Sequence, residues 1–217
     1  MTILTAVTST AAPLAAQGIV KRFGDKAVLN GIDVTVQRGE VVALVGENGA
    51  GKTTMLRICA GLLAPDEGVV SIASSPGFCP QDPCLMDLLS TEEHLTLFGA
   101  GRGMSRDHAR DAGLRLLTSL GFHGSPADLT GELSGGSRQK LNLTLALLGD
   151  PEILLLDEPY QGFDRNSYVD FWDLVDRWRD AGKATLVVTH VLTELHRADR
   201  VIDLPATPSA DTRVSRR

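Results

Sequence analysis

The sequence predicts an α/β fold: a parallel central sheet with helices on both faces, a small antiparallel β subdomain and an inserted α-helical subdomain. Three observations point there. Buried-strand patterns at residues 40–45, 153–157 and 184–189 alternate with runs of helical periodicity. A glycine-rich loop from Gly46 to Thr53 joins the first of these strands to a helix. Between about residues 82 and 133 the strand patterns give way to two helical stretches, which marks the insertion.

The elements follow in order. Apolar residues alternate over 18–22 and 28–36 around a Gly24-Asp25 turn, with Ile32, Val34 and Val36 on one face. This antiparallel entry passes through Arg38-Gly39 into the strand at 40–45. Met55, Ile58, Cys59 and Leu62 then recur at helical spacing and stop near Gly61-Leu62-Leu63-Ala64-Pro65, since proline cannot continue the helix. Residues 68–73 form a short strand. Helices are expected at 91–98 and 105–120, separated by Gly99-Ala100-Gly101-Arg102-Gly103, with Ala109, Gly113, Leu116, Leu117 and Leu120 as the packed stripe of the second. Ser134 is a natural N-cap for a helix running to Leu148. Tyr168, Phe171, Trp172, Val175 and Trp178 line one side of a further helix, and another is expected at 191–198.

Composition excludes several classes. A net charge of −6 over 217 residues argues against a general nucleic-acid binder, which needs a basic face. No segment approaches the ~18 uninterrupted apolar residues of a membrane helix, so any membrane involvement requires another chain. Cys59, Cys79 and Cys84 are an odd number without paired C-x-x-C spacing, which suggests neither a disulfide framework nor a zinc site and fits a reducing cytoplasm. Residues 1–16 lack the basic start and compact apolar core of a secretory signal, and 205–217 show no periodicity; both read as flexible tails.

The loop Gly46-Glu47-Asn48-Gly49-Ala50-Gly51-Lys52-Thr53-Thr54 has the form of a phosphate cradle. Its glycines let backbone N–H groups turn inward, Lys52 reaches toward β- and γ-phosphates, and Thr53 offers a hydroxyl to Mg²⁺ at a helix N-terminus. Further along, Leu133-Ser134-Gly135-Gly136-Ser137-Arg138-Gln139-Lys140 opens a helix, and Ile153-Leu154-Leu155-Leu156-Asp157-Glu158-Pro159 ends a strand in two carboxylates. Cys79-Pro80-Gln81-Asp82 lies between loop and helix, and Thr189-His190 lies beyond the carboxylates.

In order and spacing these motifs resemble the phosphate loop, Q-loop, signature, Walker B and switch histidine of ATP-binding cassette (ABC) ATPases, over nearly the whole chain. The resemblance implies a P-loop NTPase of ABC-ATPase type at residues 17–204, with the helical subdomain at about 82–133. It implies Mg-ATP as substrate, with Thr53 and Asp157 holding Mg²⁺ directly or through water and Gln81 touching the metal or the water. Glu158 is then the general base or water-orienting carboxylate, His190 contacts the γ-phosphate, and Thr54 adds a hydroxyl near the α- and β-phosphates. Phe23 falls where the family places an aromatic that stacks on adenine, although core packing also suits it.

In this family the signature serves the site of the opposite subunit. Ser134, Gly135 and Gly136 are therefore expected to cap ATP across a head-to-tail pair of cassettes, as homodimer or heterodimer. A separate membrane-spanning subunit is the implied partner, with export favoured over import by the style of the signature. No nucleic acid partner is implied, and the place is the cytoplasm, peripheral at the inner face of the cell membrane through that partner. A soluble, non-transport cassette is the alternative. Three departures stand out: Ser137 where glutamine is commonest, Leu145 where arginine is frequent, and Tyr160-Gln161-Gly162-Phe163-Asp164 in place of a small-residue run ending in Leu-Asp.

Overall fold

A computed structural model describes residues 12–190 and 195–205 of the chain. Three strands, β1 (Leu14–Phe23), β2 (Lys26–Val36) and β4 (Glu67–Ile72), pair antiparallel in the order β2-β1-β4. Five more, β3 (Val41–Gly46), β5 (Gly77–Cys79), β6 (Ile153–Asp157), β7 (Ala184–Val188) and β8 (Arg200–Leu204), form a parallel sheet in the order β5-β6-β7-β3-β8. The helices are α1 (Lys52–Cys59), α2 (Thr91–Gly101), α3 (Arg106–Ser119), α4 (Gly135–Leu147) and α5 (Arg165–Asp180).

The continuous aliphatic runs of β6 and β7 are buried at every residue, as a parallel strand covered on both faces must be. Side chains alternate between the two covers. Ile153 and Leu155 pack with Met55, Leu56 and Ile58 of α1 and with the antiparallel sheet. Leu154 and Leu156 pack with Leu143 of α4 and with Phe171, Trp172 and Val175 of α5. The aromatic stripe of α5 is thus core, while a third cluster of Leu95, Leu117, Leu141, Leu145 and Leu148 joins α2 and α3 to α4.

Several boundaries differ from the sequence expectation. β1 begins at Leu14, inside the stretch expected as an N-terminal tail, because Leu14 and Ala16 are fully buried and pair with both neighbouring strands. The rest of that tail, 1–11, and residues 206–217 lie outside the described residues. α1 stops at Cys59, just ahead of the expected stretch 61–65: the chain turns at Gly61, and the Leu62 N–H returns to the Arg57 carbonyl at 2.9 Å. The helix expected at 191–198 is described only from residue 195, where a 3₁₀ turn covers Leu195–Arg197. β5 and β8 lack a pattern of their own and form as additions to the parallel sheet.

α2 is the instructive case. It starts with a capping box, in which the Ser90 side chain accepts from the Glu93 N–H and the Glu93 carboxylate accepts from the Ser90 N–H. It then runs on through Gly99 and Gly101, where helix propensity favours a stop. Close packing against α3 explains this. A Cβ at Gly99 would lie 2.2 Å from the Ala109 Cβ, so only glycine lets the two helices approach so nearly. Gly99→Ala is expected to destabilise the chain by about 1–2 kcal/mol, since a 2.2 Å clash puts overpacking in the upper half of its range of about 1–3 kcal/mol, beyond the ~1 kcal/mol gained in helix propensity. Urea unfolding checks this, and an unchanged or raised midpoint would refute the close-packing account.

Candidate functional site

The loop between β3 and α1 passes over β2. Gly51, the N-cap of α1, has φ 98°, and a Cβ there would stand 2.8 Å from Leu29 and 2.9 Å from Val28. With no side chain to seat, the loop lies close on β2 and encloses a cavity of about 340 Å³ at the head of α1. Asn48, Gly49, Gly51, Lys52, Thr53 and Thr54 line one wall. Gln81 and Glu158 line another. The first turn of α1 carries no acidic residue, so its N–H groups and helix dipole present net positive charge. Lys52 is 7% exposed, and its Nζ donates to the carbonyls of Gly46 at 2.8 Å and Glu47 at 3.0 Å.

Sheet order brings the distant motifs to this cavity. β5 pairs with β6 so that Cys79 sits opposite Leu156, and the chain emerges two residues later at Gln81 beside Glu158. β6 pairs with β7 so that Asp157 sits opposite Val188, which places His190 just beyond. The outcome is a carboxylate held from two sides. Gln81 Nε2 donates to Glu158 Oε2 at 3.2 Å, and His190 Nδ1 lies 3.0 Å from Glu158 Oε1. The Glu158 side chain is 12% exposed and lines the cavity, whereas the His190 side chain is 58% exposed and lines a neighbouring cleft with Tyr160 and Phe163, reaching the cavity only through Glu158. Glu158 also has φ 46°, a left-handed backbone unusual for a residue with a side chain, with its N–H donating to the Val188 carbonyl at 3.1 Å.

Asp157 ends β6 in the interior. It is 1% exposed, and neither carboxylate oxygen has a hydrogen-bond partner among the described residues. Burial raises its carboxyl above the usual range; the nearby Thr53 hydroxyl opposes this, Glu158 reinforces it, and Arg57 and Lys52 oppose it. A buried carboxylate left without a hydrogen bond, with a threonine hydroxyl near it, suits a hard divalent cation such as Mg²⁺, which takes oxygen ligands.

Ser134 caps α4 through a bond from the Ser137 N–H at 3.3 Å, and its hydroxyl also donates to Ser137 Oγ at 3.0 Å. The substituted signature position therefore closes on the cap. Ser134, Gly135 and Gly136 do not line the phosphate cavity of their own chain. Phe23 does not line it either; Val28 does. Phe23 is 52% exposed at the end of β1, which sets aside the core alternative, and Lys21 Nζ lies 5.7 Å from its ring centre.

Sequence reasoning missed three contributors. Tyr160 is buried, hydrogen-bonds the Thr189 hydroxyl, and packs edge-on to Tyr168 and Phe171 at 4.9 and 5.6 Å. It thereby ties the unusual 160–164 segment to the strand end that carries His190. Gln139 and Asn142 of α4 are the other two, buried beneath Glu158 and Pro80. Their signal was available: polar residues inside a helix flanked by apolar ones need partners.

Comparison with known proteins adds the following. Residues 29–161 match the family model for ABC transporters. The chain is 37% identical over 198 residues to the Nod factor export ATP-binding protein I of Burkholderia lata, a match covering 86% of this chain and 65% of that protein. It thus spans just under two thirds of that relative's length. It is 40% identical over 189 residues to the aliphatic sulfonates import ATP-binding protein SsuB 1 of Nocardia farcinica, covering 86% and 76%. Among solved structures it resembles the dimeric bacterial ABC transporter cassette MJ0796, with a TM-score of 0.81 and 26% identity over 88% of this chain and 94% of that one. The same cassette in a post-hydrolysis state with ADP and Pi fits equally well, again with a TM-score of 0.81.

Proposed function

This chain belongs to the ABC transporter family, and from that premise we propose that it binds and hydrolyses Mg-ATP to drive transport through a separate membrane-spanning subunit. The observation that carries the reading is the Glu158 carboxylate held between Gln81 and His190 beside a phosphate-sized cradle. ATP hydrolysis requires neutralised phosphates and an oriented water, with little covalent work for the protein.

Lys52 is placed to exchange its two loop carbonyls for phosphate oxygens, joined by the amides of residues 46–51 and the hydroxyl of Thr54. Thr53, Asp157 and Gln81 are the residues to hold Mg²⁺, which when bound neutralises phosphate charge. Glu158 takes the proton of the attacking water or orients it. His190, exposed and within reach of Glu158, contacts the γ-phosphate. Phe23, exposed at the end of β1, offers its ring to adenine.

Partners follow from the same reading. Among the described residues no helix is long and apolar enough to cross a membrane. A mainly apolar cleft of about 390 Å³, with Leu62, Phe78, Leu85, Phe98 and Leu145 in its walls, opens next to the segment that follows Gln81, and supports seating a cytoplasmic element of the membrane subunit there. The chain would then lie peripherally at the inner face of the cell membrane. Export is the proposed direction, supported by the Nod factor export relatives; the sulfonate import relative supports import, and transport assays in oriented vesicles decide between them.

Ser134, Gly135 and Gly136 stand apart from their own cradle, and the dimeric cassette it resembles supports a head-to-tail pair in which they complete the partner's site. A Gly135→Asp chain mixed with a Lys52→Ala chain is expected to show ATPase activity well above either alone, because one composite site per mixed dimer keeps both cradle and cap. A Cβ at Gly135 meets nothing within 4 Å, so that variant is expected to fold. No recovery in proven mixed dimers would refute the arrangement.

A further inference from the structure

β5 is three residues long and lies at the edge of the parallel sheet, and the residue that follows it, Pro80, has no N–H to add to a ladder. Gln81 therefore leaves a weakly anchored strand. Its position nonetheless has to match Glu158, which belongs to a different strand. The ladder ends too early to set that distance.

Two amides of α4 bridge the gap. Gln139 and Asn142 are 2% and 5% exposed and sit three residues apart, on one side of the helix. Asn142 Nδ2 donates to the Pro80 carbonyl at 2.8 Å, and lies 3.3 Å from both Cys79 Sγ and Gln139 Oε1. Gln139 Nε2 reaches the Glu158 carbonyl at 3.4 Å. The thiol between them, Cys79, is pushed up by burial and so remains a neutral, weak acceptor. One connected set of hydrogen bonds thus holds the carbonyl just before Gln81 and the carbonyl of Glu158 itself.

We propose that Gln139 and Asn142 are positioning residues for ATP hydrolysis, setting the relative placement of Gln81 and Glu158 from the helix that opens with the signature. This rests on the ATPase reading above. Buried amides are costly unless paired, and an alanine or leucine at either position would pack without that cost. What only the amides supply is a donor to two fixed carbonyls. Reacting geometry is sensitive to displacements of about 1 Å, which can lower rates by ~10²-fold, so loosening this support acts on turnover more than on binding. Neither amide lines the phosphate cavity.

The test measures kcat and ATP affinity for Asn142→Ala, Gln81→Ala and the double variant. Asn142→Ala is expected to lower kcat about tenfold with ATP affinity unchanged, and to add nothing in a chain that already carries Gln81→Ala. Gln139→Met, which keeps volume but removes the donor, is expected to show the same kcat-specific loss. Wild-type turnover in both single variants, or losses that multiply in the double variant, would overturn the proposal. So would loss of the cooperative thermal transition in both, which would make the role structural. Absence of Mg-ATP turnover in the wild-type chain is a different result and refutes the ATPase reading instead.

Discussion

Glutamine in place of Glu158 is expected to lower ATP turnover by roughly 10²–10³-fold while ATP still binds. The substitution keeps the surroundings intact. The glutamine carbonyl can accept from Gln81 Nε2, and its amide can donate to Nδ1 of a neutral His190, so both contacts of the native carboxylate persist. The lost property is basicity: an amide neither takes a proton from water nor repels the γ-phosphate. Lys52, Thr53 and Asp157 are untouched, so ATP should remain bound and hold two chains together. Size-exclusion chromatography with Mg-ATP, with ADP and without nucleotide is expected to show a dimer with Mg-ATP alone. Turnover at the wild-type rate would overturn the assignment of Glu158.

Lys52→Ala is expected to weaken ATP binding by roughly 10²-fold or more, the scale of removing one partner of a desolvated charge pair. Its ammonium is the only cation lining the cradle among the described residues. The effect should exceed the structural cost. Two loop carbonyls lose a donor, worth about 1–2 kcal/mol, while alanine favours the start of α1. Calorimetric titration separates the two, because a folded variant with wild-type affinity would remove Lys52 from the phosphate site.

The legible parts were those governed by local chemistry. The phosphate loop, the Ser134 cap and the strands at 153–157 and 184–189 each follow from a few adjacent residues. The meeting of Gln81, Glu158 and His190 was expected from resemblance alone, and parallel pairing of β5, β6 and β7 is its physical cause. Other features depend on residues far away in the chain. Gly99 stays helical because Ala109 packs against it, β5 exists because β6 offers an edge, and Leu14 joins a strand because two neighbours pair with it. For Asn142 the need for a partner was legible but the partner was not, since it is a carbonyl 62 residues away in the chain.

The left-handed backbone at Glu158 has a consequence for the evolution of such a chain. A side chain at that φ costs about 1–2 kcal/mol relative to glycine, at a residue whose carboxylate is also mostly shielded from water. Mutational drift judged only by how well the chain folds would favour glycine here, and the sheet would be undisturbed. Keeping glutamate runs against foldedness. Relaxed selection on turnover would therefore silence the chemistry through this residue well before it eroded the architecture, leaving a descendant that still binds nucleotide and no longer spends it.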